Sequence, residues 1–430
     1  MALKTFKVAK KLYKAGGLYV RRMGQFQRNA RRYLVSVALT GAAMGIYNLL
    51  FNFFVLSLGY DEAFLGKLVS LNQMSIVVTA IFSNFLLSRL NRKWVLFGGI
   101  LVTALSVAVM VLFPLLWVIV LMSAVFGGAQ CLITISIAPF LMESSGEEER
   151  TYLFSAAFAL QMAATFAGNW AGGRLPSWLL RNGWTLDAEA GYRTALLVMV
   201  LLTLIGLLPI LRIRTLPIKQ KLGNGGNILP VILHHWRHFG KLMTPVLLTS
   251  LGAGLIMPFM NVFFRHMHHQ SDQNIGLVFA GGSLAMGLGM LLAPPLAEKF
   301  GKVQLFALSR GFSLPFLVIL AISPWFVLSA LAYNVRIMLM NMAGPVYQNF
   351  VMEDVEQDLR PAASSMLTVF GSLGWGLSSM LSGWIQVRYG FGPAFVGAGI
   401  GYALGVFSSW WFFLRPQKLT ASKQPQAVSS

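Results

Sequence analysis

Long apolar runs, each closed by a short polar or glycine-bearing break, dominate the chain. A helix crossing a bilayer needs about 20 mostly apolar residues. Uncharged runs of this kind occupy 33–60, 68–88, 151–173, 194–211, 242–264 and 273–297. Residues 94–142 carry no charge and are long enough for two spans, with Pro114 near the turn. Two further pairs follow: 303–322 with 325–352, hinged at Ser323-Pro324, and 361–387 with 389–414. The pattern predicts an all-α membrane protein of about twelve transmembrane helices.

The spans form one unit written twice. Phe140, Met142, Glu143 and Arg150 return about 210 residues later as Phe350, Met352, Glu353 and Arg360. Gly66 returns as Gly276, Arg92 as Lys302 and Gly173 as Gly383. Thr40, Gly45 and Asn52 return one residue out of step, as Thr249, Gly254 and Asn261. The offset predicts two pseudo-symmetric six-helix bundles, 33–214 and 242–416. A linker, 215–241, joins them, with a short interfacial helix expected at 228–242; an arm, 1–32, and a disordered tail, 417–430, flank them. Duplicated membrane halves commonly place a transport pathway at their interface.

Composition agrees. The 430 residues are 56% hydrophobic and 11% charged, with mean hydropathy +0.66, against about 25% charged in a soluble domain. The lone Cys131 excludes an intramolecular disulfide framework and a cysteine-based zinc site. The net charge of +20 gathers at the ends of apolar runs, which encodes topology rather than nucleic-acid binding. Residues 1–32 hold ten Lys or Arg and no acid. This arm reads as a topological anchor lying on anionic lipid, not as a cleavable signal. With the N-terminus inside, the basic residues concentrate in the cytoplasmic segments, so both ends are expected in the cytoplasm of a plasma (inner) membrane protein. A monomer would suffice for this plan.

At the loops after the second and eighth spans the chain resembles the Major Facilitator Superfamily, over roughly 33–416. That family's loop signature reads Gly-x-Leu-Ala-Asp-Arg-x-Gly-Arg, then Arg or Lys. The second copy, from Pro294 through Glu298, Lys299 and Gly301 to Lys302, keeps the acid, the bases and one glycine. The first copy keeps the bases Arg89 and Arg92 but has Ser88 where the acid belongs. The resemblance assigns these loop residues to gating, with Glu298 bracing neighbouring helices. Gly168-Asn169-Trp170-Ala171-Gly172-Gly173 is similar to an element of the family's antiporters, with Asn169 in place of proline. Small residues at that spacing also let helices approach closely.

Chemistry inside the spans is sparse. All fourteen acids fall in loops or within about a turn of a span's end, so a dedicated carboxylate proton relay is not expected. Neither a phosphate-cradling glycine loop nor a His-Glu-x-x-His motif is present, which removes support for an enzyme, and no cofactor is implied. The histidines at 234–238 and 266–269 lack convergent ligands, so metal binding is not expected. Arg310 sits nearer the cytoplasmic end of the ninth span and reads as structural, snorkelling to the interface. Arg336 lies near mid-membrane, where a charge costs at least about 2.5–3.5 kcal/mol. Two readings stay open: an anion-binding group in a central cavity, or a brace bonded to carbonyls or amides. In the family the first, fourth, seventh and tenth helices line the cavity. The resemblance therefore implies Asn48, Asn52, Gln130, Asn261, Arg336 and Asn341 as substrate-binding residues.

The function expected is secondary transport of a small organic solute, anionic or amphipathic, by alternating access. Export of hydrophobic drug-like compounds is one alternative. The other is a lipid-moving or non-transporting scaffold.

Overall fold

The computed structural model describes residues 27–89, 91–143, 147–213, 235–356 and 359–415, without the side chains at 83–89, 143, 147–151 and 361. Their helices alternate in direction as twelve spans. The first half holds α1 (Arg28–Ser57), α2 (Glu62–Arg89), α3 (Arg92–Leu112), α4 (Leu116–Glu143), α5 (Glu147–Arg181) and α6 (Ala188–Leu211). The second holds α7a (Trp236–Ile256) with α7b (Met260–His268), α8 (Asp272–Phe300), α9 (Lys302–Ile322), α10a (Phe326–Met342) with α10b (Gly344–Asp354), α11 (Arg360–Tyr389) and α12 (Phe391–Ser409). Helix α1 begins at Arg28, ahead of residue 33, and the linker's Trp236 onward belongs to α7a. The rest of the arm, of the linker with its expected interfacial helix, and the tail lie outside the described residues.

Turn chemistry sets the ends of several spans. Asn91 caps α3, its side chain accepting from the Lys93 N–H (3.1 Å), and Lys93 Nζ donates to the Leu211 carbonyl that closes α6. Gly301, at φ +93, makes the one-residue joint between α8 and α9, a left-handed conformation that a side chain disfavours. Pro258 lies in a 3₁₀ turn that divides the seventh span, and Pro345 follows the break in the tenth.

Packing repeats with the sequence. Helix α1 lies against α5 and α6 as α7a lies against α11 and α12; α3 meets α4 and α6 as α9 meets α10a and α12. The halves join through α2 with α11 and α5 with α8, the same contact made twice. Ten spans are long and apolar enough to cross a membrane by length and composition alone. The other two are α5 and α11, in which serines, glycines and amides replace large apolar residues on helices that face the opposite half.

The repeated glycines make these crossings. A Cβ on Gly66 would lie 2.6 Å from the Ser379 carbonyl oxygen and 3.2 Å from Gly383 Cα; one on Gly173 would lie 2.6 Å from the Asp272 oxygen and 3.0 Å from Gly276 Cα. Each glycine thus pairs with the repeat of the other, as a two-fold between the halves requires. Both crossings lie toward the side away from the termini. Gly383→Ala would put a methyl 2.3 Å from the Glu62 oxygen. Overpacking of this kind costs about 1–3 kcal/mol, so this variant should lower the apparent melting temperature by several degrees. Gly392, with nothing within 4 Å of its Cβ position, is the control and should change little. Equal melting of the two variants would contradict the crossing.

Candidate functional site

Between the halves lies a cavity of about 560 Å³, within the range of small-molecule sites. Its base is a polar clasp across the two-fold. Asn52 Nδ2 donates to the Pro258 carbonyl (2.7 Å) and to Asn261 Oδ1 (2.9 Å), while Asn261 Nδ2 donates to the Leu49 carbonyl (2.8 Å). The break at Pro258 frees the carbonyl that Asn52 takes. Nearby, Asn169 Nδ2 donates to Ser283 Oγ (3.1 Å), so the residue in the proline position of the antiporter element ties the halves together.

Beyond the clasp, a charged layer closes the side away from the termini. Tyr192 donates to Asp272 (2.7 Å), and Arg265 bonds both Asp272 and the Tyr192 hydroxyl. The Arg265 guanidinium also lies over the Phe53 ring at 3.3 Å, and His266 meets Glu62 at 3.3 Å. Every one of these bonds except Arg265–Asp272 crosses from one half to the other. One histidine of each cluster faces a carboxylate, His266 meeting Glu62 and His238 meeting Asp354 at 3.2 Å.

Two arginines enter the wall from the second half. Arg336 is fully buried; Nη1 has only Met257 Sδ at 3.7 Å, the guanidinium lies 4.7 Å from the Tyr402 ring centre, and Nε and Nη2 have no partner. It touches no carbonyl or amide acceptor, as a brace would require. Arg310 also lines the cavity, 3.5 Å over the Phe306 ring, with Nε and Nη1 unpartnered. This corrects the expectation that Arg310 snorkels to the interface. It stands eight residues inside α9, about 12 Å along the helix, and that depth is the signal the sequence carried. The Tyr402 hydroxyl is buried without a partner as well. Among the described residues lining the cavity there is no Asp, Glu or His.

Of the other sequence candidates, Asn48, Asn52, Asn261 and Asn341 reach this cavity. Asn48 presents its amide unbonded, whereas Asn341 Nδ2 donates to the Ile337 carbonyl of its own helix (2.8 Å). Arg336 and Met340 lie on the stripe of α10a that faces the cavity, and Asn334 turns against α8. Gln130 is not brought to the cavity. It points between α1 and α3, donating to Thr103 Oγ1 (3.3 Å), and lines a smaller pocket within the first half.

The gating loops are placed unevenly. Glu298 and Lys299 are exposed, and Glu298 forms no ion pair among the described residues. Lys302 pairs instead with Glu353, the repeat of Glu143. Arg92 opens α3, and the Arg89 side chain lies outside the described residues.

Solved structures share the fold. A nucleoside transporter, NupG, aligns with a TM-score of 0.70 at 16% identity, covering 90% of this chain and 99% of its own. A bacterial homologue of the human lysosomal transporter Spinster, in an inward-facing and unoccupied conformation, aligns at 0.71 and 13% identity, covering 90% and 96%. A D-xylose–proton symporter aligns at 0.67 and 14% identity, with the same coverages. No curated protein matches the sequence. The family model described as Major Facilitator Superfamily matches residues 33–243 and 242–428, one match for each repeat. The chain therefore belongs to the Major Facilitator Superfamily, a membrane transporter with its two halves around a central cavity.

Proposed function

We propose that this transporter carries a small organic anion with an apolar part across the plasma membrane by alternating access. The observation that carries the reading is Arg336, fully buried at the cavity wall with two nitrogens lacking any acceptor. An unpaired buried ion costs several kcal/mol, and a guanidinium fits carboxylate or phosphate in a planar, bidentate fashion. Arg310 adds a second such group, and among the described lining residues no acid competes for either. On the opposite wall Tyr47 stacks on Phe51 and Phe126 at 4.8 and 4.6 Å, an apolar surface for the rest of the solute. With the termini in the cytoplasm, as the basic segments argue, the sealed side faces outward and the cavity is reached from within.

Two experiments test this. In a thermal-shift panel of benzoate, succinate and phenyl phosphate against matched neutral amphiphiles and cations, an anion should stabilise the wild type, at about 2.7 kcal/mol when present at a hundred times its Kd. Arg336→Gln should lose most of that gain. Equal stabilisation of both proteins by neutral or cationic compounds would overturn the anion site.

The second concerns the clasp. Asn52→Ala with Asn261→Ala removes three bonds across the halves, worth about 0.6 kcal/mol each in membrane interiors, or roughly twentyfold in the opening equilibrium. A cysteine placed at Ser250, in a Cys131→Ser background, should become more reactive toward an impermeant thiol reagent added outside. Unchanged reactivity would remove the clasp from the gate.

A further inference from the structure

Six asparagines line the central cavity, and the protein itself uses four of them. Asn52, Asn261 and Asn169 tie the halves together, and Asn341 turns its Nδ2 onto its own helix. The other two are Asn48 on α1 and Asn72 on α2. Neither side chain makes a hydrogen bond among the described residues, and both are open to the cavity. An amide inside a membrane span ordinarily bonds across helices. These two present a donor and an acceptor to whatever fills the cavity.

Both stand beside the aromatic wall. Asn48 follows Tyr47, whose ring stacks on Phe51 and Phe126. Gly127, next to Phe126, lets α4 close on the Asn72 backbone. An aromatic face bordered by free amides fits a ring with hydroxyls at its rim. The face takes the apolar surface of the ring. Each amide offers a carbonyl acceptor and an N–H donor side by side, and a pair of adjacent hydroxyls returns one of each. A bare hydrocarbon ring would displace water from the amides and give nothing back, at the cost of an unmade bond. A hydroxylated ring replaces that water in kind.

We propose that the solute is a carboxylate whose ring carries adjacent hydroxyls, and that Asn48 and Asn72 select for those hydroxyls. The proposal rests on the anion site argued above: the arginines hold the carboxylate, and the two asparagines recognise the opposite end. Asn72 comes from α2, outside the four helices that the family resemblance assigned to the cavity.

The test is calorimetric titration of the purified full chain in detergent with benzoate, 3,4-difluorobenzoate and 3,4-dihydroxybenzoate. Fluorine is close to hydroxyl in size but donates no hydrogen bond. Wild type should bind the dihydroxy compound at least about tenfold tighter than either of the others, the gain of one or two net hydrogen bonds. In Asn48→Ala/Asn72→Ala that preference should shrink to about twofold or less, while benzoate, which has no hydroxyl to lose, should not weaken. A merely structural effect of the substitutions would weaken all three ligands together. Arg336→Gln should do just that, since each ligand carries the carboxylate. If the double variant does not yield folded protein, Asn48→Ala and Asn72→Ala separately carry the comparison, each lowering the preference by about threefold.

Equal wild-type affinity for the three compounds overturns hydroxyl recognition, and so does a preference that survives loss of both asparagines. If Arg336→Gln still weakens all three in that case, the anion site stands. If Arg336→Gln binds 3,4-dihydroxybenzoate as tightly as wild type, the anion site falls and the hydroxylated carboxylate falls with it.

Discussion

Two guanidiniums held in the membrane interior without a counter-charge are the constraint around which the rest of this structure is arranged. Burying Arg336 with two unpartnered nitrogens opposes folding, and the surrounding helices must hold it there. The rings of Tyr402 and Phe306 offer partial compensation through their faces, which attract cations more weakly than an anion does. A site left incomplete in this way is primed for a ligand that brings negative charge.

Duplication supplies the machinery that moves around this site. Because the halves are related by a two-fold, each repeated residue meets the partner of its own repeat rather than the repeat itself. Gly66 meets Gly383, Gly276 meets Gly173, and only Asn52 and Asn261, close to the axis, meet each other. Backbone contact at the glycines permits the halves to rock about a close crossing, and the asparagine clasp seals the base with bonds that break as a set. In the charged layer Tyr192 and Asp272 do recur in the sequence, as Tyr402 and Glu62, but Arg265 does not and the bonds among the three are made once; the two arginines have no repeat, since Arg336 stands where the first half has Phe126. The shared features build the carrier, and the unshared ones give it a chemistry.

The spans and the repeat were legible in the sequence because a bilayer penalises charge and leaves backbone groups no partner but their own helix. Arg336 was legible for the same reason, as a charge too deep to escape. Rotation about each helix axis was not. Gln130 and Phe126 are one turn apart, yet only Phe126 reaches the cavity, since Thr103 offers the Gln130 amide a nearer acceptor. Arg310 departs from the snorkelling expectation because eight residues of α9, about 12 Å, separate it from the start of that helix at Lys302. In the Tyr192–Arg265–Asp272 layer, Arg265 and Asp272 are only 7 residues apart, but Tyr192 lies 73 and 80 residues from them, and no local spacing announces that contact.

The most direct measurement is a cryo-electron microscopy map of the protein with 4-iodobenzoate, whose iodine marks the orientation of the ligand. The account predicts the carboxylate within hydrogen-bond distance of Arg310 and Arg336, with the ring directed toward Tyr47 and Phe126. A ligand bound away from both guanidiniums, or an arginine pair already satisfied by protein acceptors, would contradict it.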